Sequence, residues 1–254
     1  MDNCLELRQI YKTYLAGEKK QLALQAINLS LEPGKCLGII GKSGCGKTTL
    51  LKLIARLLNA DRGEIYWQGE NITTWRKKKL RPFYNDLRFI GQNPLAAFNP
   101  RLTIGWSIGE RLRANNYSSR DVINRIQEVL AMVKLPAAYA DFYPHELSGG
   151  ECQRAAIARA LVIKPKLLLC DEVTSALDKT NKVSITKLLR KLVTEQNVSC
   201  LFVTHNVNSL QDMADMIAVM DNGQIVEYGT AARIMENPQS AAAKALVTAA
   251  KILK

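Results

Sequence analysis

One eight-residue string, set between an apolar run and a helical pattern, constrains this chain more than anything else in it. Gly41, Lys42, Ser43, Gly44, Cys45, Gly46, Lys47 and Thr48 fit G-x-x-x-x-G-K-[ST] at every position. Residues 36–40 ahead of it read as a buried strand, and residues 48–58 after it as a helix. A strand that turns into a helix through glycines leaves successive backbone N–H groups free, and the helix N-terminus adds partial positive charge. Such a loop cradles phosphates. Lys47 is placed to neutralise their charge, the Thr48 hydroxyl to hold Mg²⁺, and Thr49 to join the nucleotide-binding set. A glycine turn that merely opens a helix is the plainer reading, and it leaves the full match unexplained.

The remaining pattern fits an α/β fold. Strands are expected at 5–7, 24–31, 64–68, 87–90, 167–170, 199–203 and 216–220. Asn222-Gly223 signals a hairpin returning through 224–227. Helices are expected at 103–116, at 121–133, from Ser148 to before Lys164-Pro165, up to 194, and over 240–253. The second carries the stripe Val122, Ile123, Ile126, Val129, Leu130 and Val133. Strand and helix alternation predicts a mostly parallel sheet covered on both faces, interrupted by a helical insertion. We expect one domain over 1–254, with a helical subdomain at about 93–163 and a helical tail at about 230–254.

Composition narrows the setting. With 47% hydrophobic and 23% charged residues the chain has material for a core and no mark of disorder. No run approaches the roughly 18 apolar residues of a membrane span, and Met1, Asp2, Asn3 and Cys4 do not open a secretion signal. The six cysteines are scattered without a CxxC pair, which suits a reducing cytosol. Cys36, Cys170 and Cys200 sit in apolar runs, where a thiol acts as a small hydrophobe. The net charge of +12 asks for an anionic partner: nucleotide, phospholipid or nucleic acid. Its densest run, Arg76, Lys77, Lys78, Lys79 and Arg81, reads as a solvated face.

Two acids, Asp171 and Glu172, follow the apolar strand 167–170. Ligands of doubly wound sheets sit at the carboxyl ends of strands, so Asp171 should arrive beside the phosphate loop and position Mg²⁺. Glu172 can then orient and deprotonate an attacking water. The alternative is a charge pair at a helix N-terminus. His205 ends the strand 199–203 and belongs on the same rim. Ser148, Gly149, Gly150 and Glu151 make a capping box whose glycines leave backbone donors free, a second anion site. Cys45 is either a small side chain the loop requires or a thiol activated by its surroundings, in which case a maleimide should block activity.

The string Leu147-Ser148-Gly149-Gly150-Glu151-Cys152-Gln153-Arg154, together with these motifs, resembles the ATP-binding-cassette family, whose signature usually reads LSGGQ. The resemblance covers nearly the whole chain. It implies a P-loop NTPase (RecA-like) core with an N-terminal antiparallel β subdomain and an inserted α-helical subdomain. Residues 41–48 are similar to the Walker A motif and 167–172 to Walker B. Ser175 to Asp178 resemble the D-loop, His205 the switch histidine, and Gln92 the Q-loop residue that assists both metal and water. Tyr14 resembles the aromatic that stacks on adenine, with Tyr11 the alternative. In that family two cassettes dimerise head to tail, so Ser148, Gly149, Gly150 and Asp178 would meet the ATP and Mg²⁺ held by the other subunit. Glu151 stands where glutamine is usual and Val173 where proline is frequent.

Residues 92–105, with Asn99-Pro100-Arg101 and Thr103-Ile104-Gly105, are similar to the Q-loop region of peptide and nickel importer ATPases, as is Tyr143 to Leu147. Asn93 replaces an aspartate common there, and Ala96-Ala97 stand in place of serine. The resemblance implies two transmembrane permease chains, an external substrate-binding protein and a second ATPase chain, identical or not. It places this chain at the cytoplasmic face of the membrane. The end of the sequence soon after Gly229 favours nickel or another metal chelate over peptide as cargo. Cassette ATPases that act on ribosomes or nucleic acid would also suit the +12 charge. They usually fuse two cassettes or insert long coiled coils, which this sequence lacks, so no nucleic acid is expected. A nucleotide-sensing partner without hydrolysis is the third possibility.

Overall fold

The computed structural model describes residues 3–16 and 19–252. Met1, Asp2, Leu253 and Lys254, the last two belonging to the expected helical tail, lie outside them.

Strands β1 (Leu5–Ala16) and β2 (Lys19–Leu31) pair antiparallel and turn Leu5, Leu7, Ile10, Leu24, Ile27 and Leu29 inward. Next come β3 (Cys36–Gly41), α1 (Lys47–Ile54), β4 (Arg62–Trp67), β5 (Glu70–Asn71), α2 (Arg81–Asp86) and β6 (Leu87–Ile90). The insertion holds α3 (Ile104–Ala114), α4 (Ser119–Met132) and α5 (Gly149–Leu161). After it the chain alternates β7 (Leu167–Asp171), α6 (Lys179–Gln196), β8 (Ser199–Val203), α7 (Val207–Gln211) and β9 (Met216–Asp221). It finishes with β10 (Gln224–Thr230), α8 (Ala231–Glu236) and α9 (Ala241–Ile252).

Two sheets result. The smaller, β2-β1-β4-β5, is antiparallel throughout; the larger runs β10-β9-β3-β8-β7-β6 and is parallel except for β10. Strand periodicity sorts the larger sheet's side chains onto two faces. Ile40, Leu168, Cys170, Cys200, Phe202 and Val219 pack into one core shared with α3, α4, α5 and α6. Ile39, Leu167, Leu169, Leu201, Val203 and Met220 pack into another with α1 and the antiparallel sheet. Both faces are covered, so these strands read in the sequence as unbroken apolar runs.

Local differences from the expected elements have local causes. α1 ends at Ile54, short of residue 58, because Arg56 takes φ 55° and the amides of Leu57 and Leu58 both turn back to the Lys52 carbonyl. α2 lies behind the basic run, where no apolar period announces it, and β5 and α8 are too short to show one. On α4, Val122, Ile126, Val129 and Leu130 are buried as the stripe predicts, but Ile123 is 55% exposed. One residue on from Val122 turns about 100° around the helix and leaves the buried face.

A register shift between Ile225 and Glu227 exposes Val226 and turns Glu227 inward. The Glu227 carboxylate accepts the N–H groups of Gln239 and Ser240 at 3.0 and 2.8 Å and pairs with Arg233 at 3.3 Å. It thereby fixes the chain entering α9. Burial pushes this carboxyl up, but the Ser240 and Gln239 amides outweigh it and hold it below the ordinary glutamate range. Its stabilisation is therefore complete above the ordinary glutamate pKa and is lost as pH falls through the lowered value. Glu227→Gln should cost about 1–3 kcal/mol, read as a lower Tm and as faster amide exchange confined to α8 and α9. Unchanged exchange there would exclude the tether.

Candidate functional site

The loop after β3, the end of β7 and the residues after β8 meet on one rim, because β3, β8 and β7 are neighbours and parallel. Two glycines of the loop are dictated by space. A Cβ on Gly41 would lie 2.3 Å from the Met220 carbonyl oxygen. At Gly46 (φ 105°) it would lie 2.6 Å from that of Ala23, in a conformation L side chains rarely adopt.

Lys47 is 6% exposed, and its Nζ donates to the carbonyls of Gly41 at 2.8 Å and Lys42 at 2.9 Å. The ammonium thus braces the loop that curls over it. Cys45 is equally buried, with Sγ 3.9 Å from Lys47 Nζ. The burial of Cys45 favours the reading that the loop needs a small inward side chain here over the alternative of an activated thiol. All six cysteines are buried. A thiol-titrating disulfide should find fewer than about one fast-reacting group in the native chain and the full set after denaturation.

Asp171 ends β7 with 9% exposure. Burial raises its pKa, opposed by a hydrogen bond from the Thr48 side chain, with the Glu172 charge raising it and Lys47 lowering it. Its Oδ1 is buried and has no protein partner. Glu172 takes φ 51°, held there by N–H donation to the Val203 carbonyl (3.0 Å) and by Ser175, whose N–H and hydroxyl donate to the Glu172 carbonyl. A non-glycine residue so placed costs of order 1–3 kcal/mol and is retained where surrounding bonds fix it. Its Oε2 lies 3.4 Å from Nδ1 of His205. The next helix begins only at Lys179, so Asp171 and Glu172 are not the charge pair of a helix N-terminus.

A cleft of about 390 Å³ opens over the loop, lined by Tyr14, Ser43, Gly44, Gly46, Lys47, Thr48, Thr49 and Glu172. Tyr14 is 39% exposed and its hydroxyl is 3.5 Å from Thr49 Oγ1, whereas Tyr11, paired with Arg62, does not line the cleft. The sequence reading missed the hairpin residues Asn222 and Gly223, which also line it. Gly223 donates to the Cys45 carbonyl (3.1 Å) and accepts from the Gln25 amide (2.8 Å), tying the loop to β2. Their N-G signal was visible but carried only a turn.

Gln92, Ser148, Gly149, Gly150 and Asp178 lie elsewhere. Gln92 follows β6 and is exposed, outside the cleft. Ser148 caps α5, accepting the Glu151 amide at 3.4 Å, while Glu151 Oε2 accepts the Ser148 amide at 2.9 Å. The hydroxyls of Tyr139 and then Ser148 hold the Glu151 carboxyl below its ordinary range. Gly149 faces open space, and Gly150 leaves no room for a Cβ beside the Asn181 side chain, 2.8 Å away. Asp178 accepts both the backbone and side-chain N–H groups of that same Asn181. The second glycine-rich helix start and the α6 cap therefore form one block, away from the cleft of their own chain.

A braced phosphate loop, a buried carboxylate under its threonine and a carboxylate–imidazole pair on the adjoining strands define a P-loop nucleoside triphosphatase. Residues 24–175 match the ABC transporter family. The chain is 38% identical over 232 residues to the oligopeptide transport ATP-binding protein OppF of Salmonella typhimurium (strain LT2), covering 91% of this chain and 70% of that one. It is 38% identical over 231 residues to the glutathione import ATP-binding protein GsiA of Salmonella choleraesuis, covering 91% of this chain and 37% of GsiA. The fold matches the dimeric post-hydrolysis ATP-binding cassette MJ0796 bound to ADP and Pi with a TM-score of 0.81, at 31% identity over 89% of this chain and 98% of that one. The chain belongs to the ABC transporter family, as an ATP-hydrolysing cassette.

Proposed function

We propose that this cassette drives an importer of peptides, docked on two permease chains at the cytoplasmic face of a membrane and served by an external substrate-binding protein. The observation that carries the reading is similarity along 91% of the chain, insertion included, to an ATP-binding protein named for oligopeptide transport. Glutathione and peptidoglycan transport name further relatives, so peptide rather than nickel or a metal chelate is the favoured cargo. Among the described residues no helix is long and apolar enough to cross a membrane. We take 1–254 as one ATPase domain, with the helical subdomain at about 93–163 and the tail at about 230–254.

Within the site, the loop from Gly41 to Thr48 binds the phosphates of ATP through its backbone N–H groups, Lys47 and the side chains of Lys42 and Ser43. Tyr14 and Thr49 border the nucleotide. Thr48 and Asp171, with Gln92, would hold Mg²⁺; the buried, unpartnered Asp171 Oδ1 is the atom that fits such an ion. When bound, the ion neutralises phosphate charge. Glu172 accepts the proton of the attacking water, and His205 orients that carboxylate from 3.4 Å. Ser148, Gly149, Gly150 and Asp178 do not line their own cleft, so they are free to close over the nucleotide of a second cassette, identical or related, arranged head to tail.

The test is purification with membrane partners and reconstitution into vesicles. ATPase activity should rise when the binding protein is loaded with an oligopeptide. Stimulation by a nickel chelate alone would reassign the cargo. Salt-sensitive RNA binding without membrane association would overturn the importer.

A further inference from the structure

The basic run ahead of α2 is folded into a turn. The amides of Lys79 and Leu80 both donate to the Arg76 carbonyl, at 2.9 and 3.1 Å, and the Trp75 amide donates to that of Ile72 at 3.2 Å. Leu80 and Phe83 are buried, and half-buried Trp75 packs against the same core as the antiparallel sheet. With these apolar residues anchored inward, Arg76, Lys77, Lys78, Lys79 and Arg81 are all exposed. Among the described residues none of the five has an ion pair. Lys79 Nζ lies 4.2 Å over the Trp75 ring, and Asp86, at the other end of α2, is already paired with Lys166 at 3.0 Å.

Like charges crowded into one turn repel one another, and a surface of many negative charges offsets that repulsion. That surface is not ATP. None of the five cations lines the nucleotide cleft. The Tyr84 hydroxyl of α2 reaches the Arg56 carbonyl at 3.4 Å, just past the end of α1 that lies away from the phosphate loop. Nor does the turn suit single-stranded nucleic acid, which is gripped by stacking its bases on open aromatic faces. The one ring in the turn, Trp75, is half-buried with Lys79 over it. A bilayer surface needs only charge: an anionic leaflet strengthens binding by about fivefold for each Lys or Arg close to it.

We propose that the turn from Arg76 to Arg81 contacts the anionic phospholipid head groups of the membrane, directly and not through a permease. The importer reading guides the choice of polyanion, since it sets the chain at a membrane face. Lipid contact by the chain itself goes beyond that reading, which needs only the permease.

The experiment sediments the full chain, without permease, with vesicles of phosphatidylcholine alone or of phosphatidylcholine mixed with phosphatidylglycerol. It should favour the mixed vesicles by about tenfold or more and detach from them as salt rises. Lys77→Gln with Lys78→Gln should weaken that binding by about 20- to 30-fold. Arg120→Gln with Lys187→Gln removes equal charge from exposed positions elsewhere and should keep most of it. Lys77 and Lys78 make no side-chain bond within the chain among the described residues, so ATPase activity and Tm serve as folding controls. Equal binding to both kinds of vesicle, or to neither, overturns the inference. Equal loss in the two double variants also overturns it, by assigning the attraction to net charge alone. So does RNA binding that the Lys77 and Lys78 variant loses while its vesicle binding persists. A vesicle assay that fails in the first two ways leaves the permease-docked motor standing, because no permease is present in it.

Discussion

Replacing Glu172 by Gln should leave ATP binding intact and slow hydrolysis by a factor on the order of 10²–10⁴, the usual contribution of a general base. The amide keeps the shape of the side chain, so the left-handed turn at φ 51° and its backbone bonds to Val203 and Ser175 persist. What is removed is the group that takes a proton from water. Single-turnover hydrolysis with labelled ATP, beside an equilibrium titration with a fluorescent analogue, separates the two quantities. Turnover near that of the parent chain would take the base away from Glu172 and leave its strained backbone without a function. His205→Ala should follow the same direction more mildly, since the imidazole acts through the carboxylate.

Lys47→Ala should act one step earlier, on binding. The ammonium is buried beneath the loop, and the Gly41 and Lys42 carbonyls converge on it at 2.8 and 2.9 Å. Hydrogen bonds to a charged group are worth about 1.5–3 kcal/mol each. Losing two of them, together with the charge facing the phosphates, should weaken ATP binding by about 100-fold or more. Tm should fall as well, because two buried carbonyls lose their donor. Affinity equal to that of the parent chain would place the phosphates elsewhere. The two variants therefore divide the site: one binds without turning over, and the other fails to bind.

The legible part of this fold is the part written in local pattern. β3, β7 and β8 stand where the apolar runs predicted them, to within one residue, because strands buried on both faces leave no ambiguity of phase. The cap at Ser148 was likewise visible, since an N-cap acts on residues two or three places away, whereas Asp178, read only as a D-loop residue, proves to cap α6. Elements without such a period, α2 behind its lysines and the two-residue β5, left no trace. Tyr14 and Tyr11 could not be separated from spacing alone; the register of β1 against β2 decides which of them reaches the cleft. The cysteine at position 45 could be read as reactive or as packing until its burial was known.

The sequence by itself determined which residues could hold phosphates, carry a carboxylate base and cap the second glycine-rich helix, since each depends on neighbours within a turn of chain. Only the tertiary structure decided that Glu172 meets His205 and that Gly150 rests on the Asn181 bound by Asp178. Those pairings join segments far apart in the chain. They depend on the order of strands in a sheet and on the face each helix turns inward, and no short string of residues encodes either.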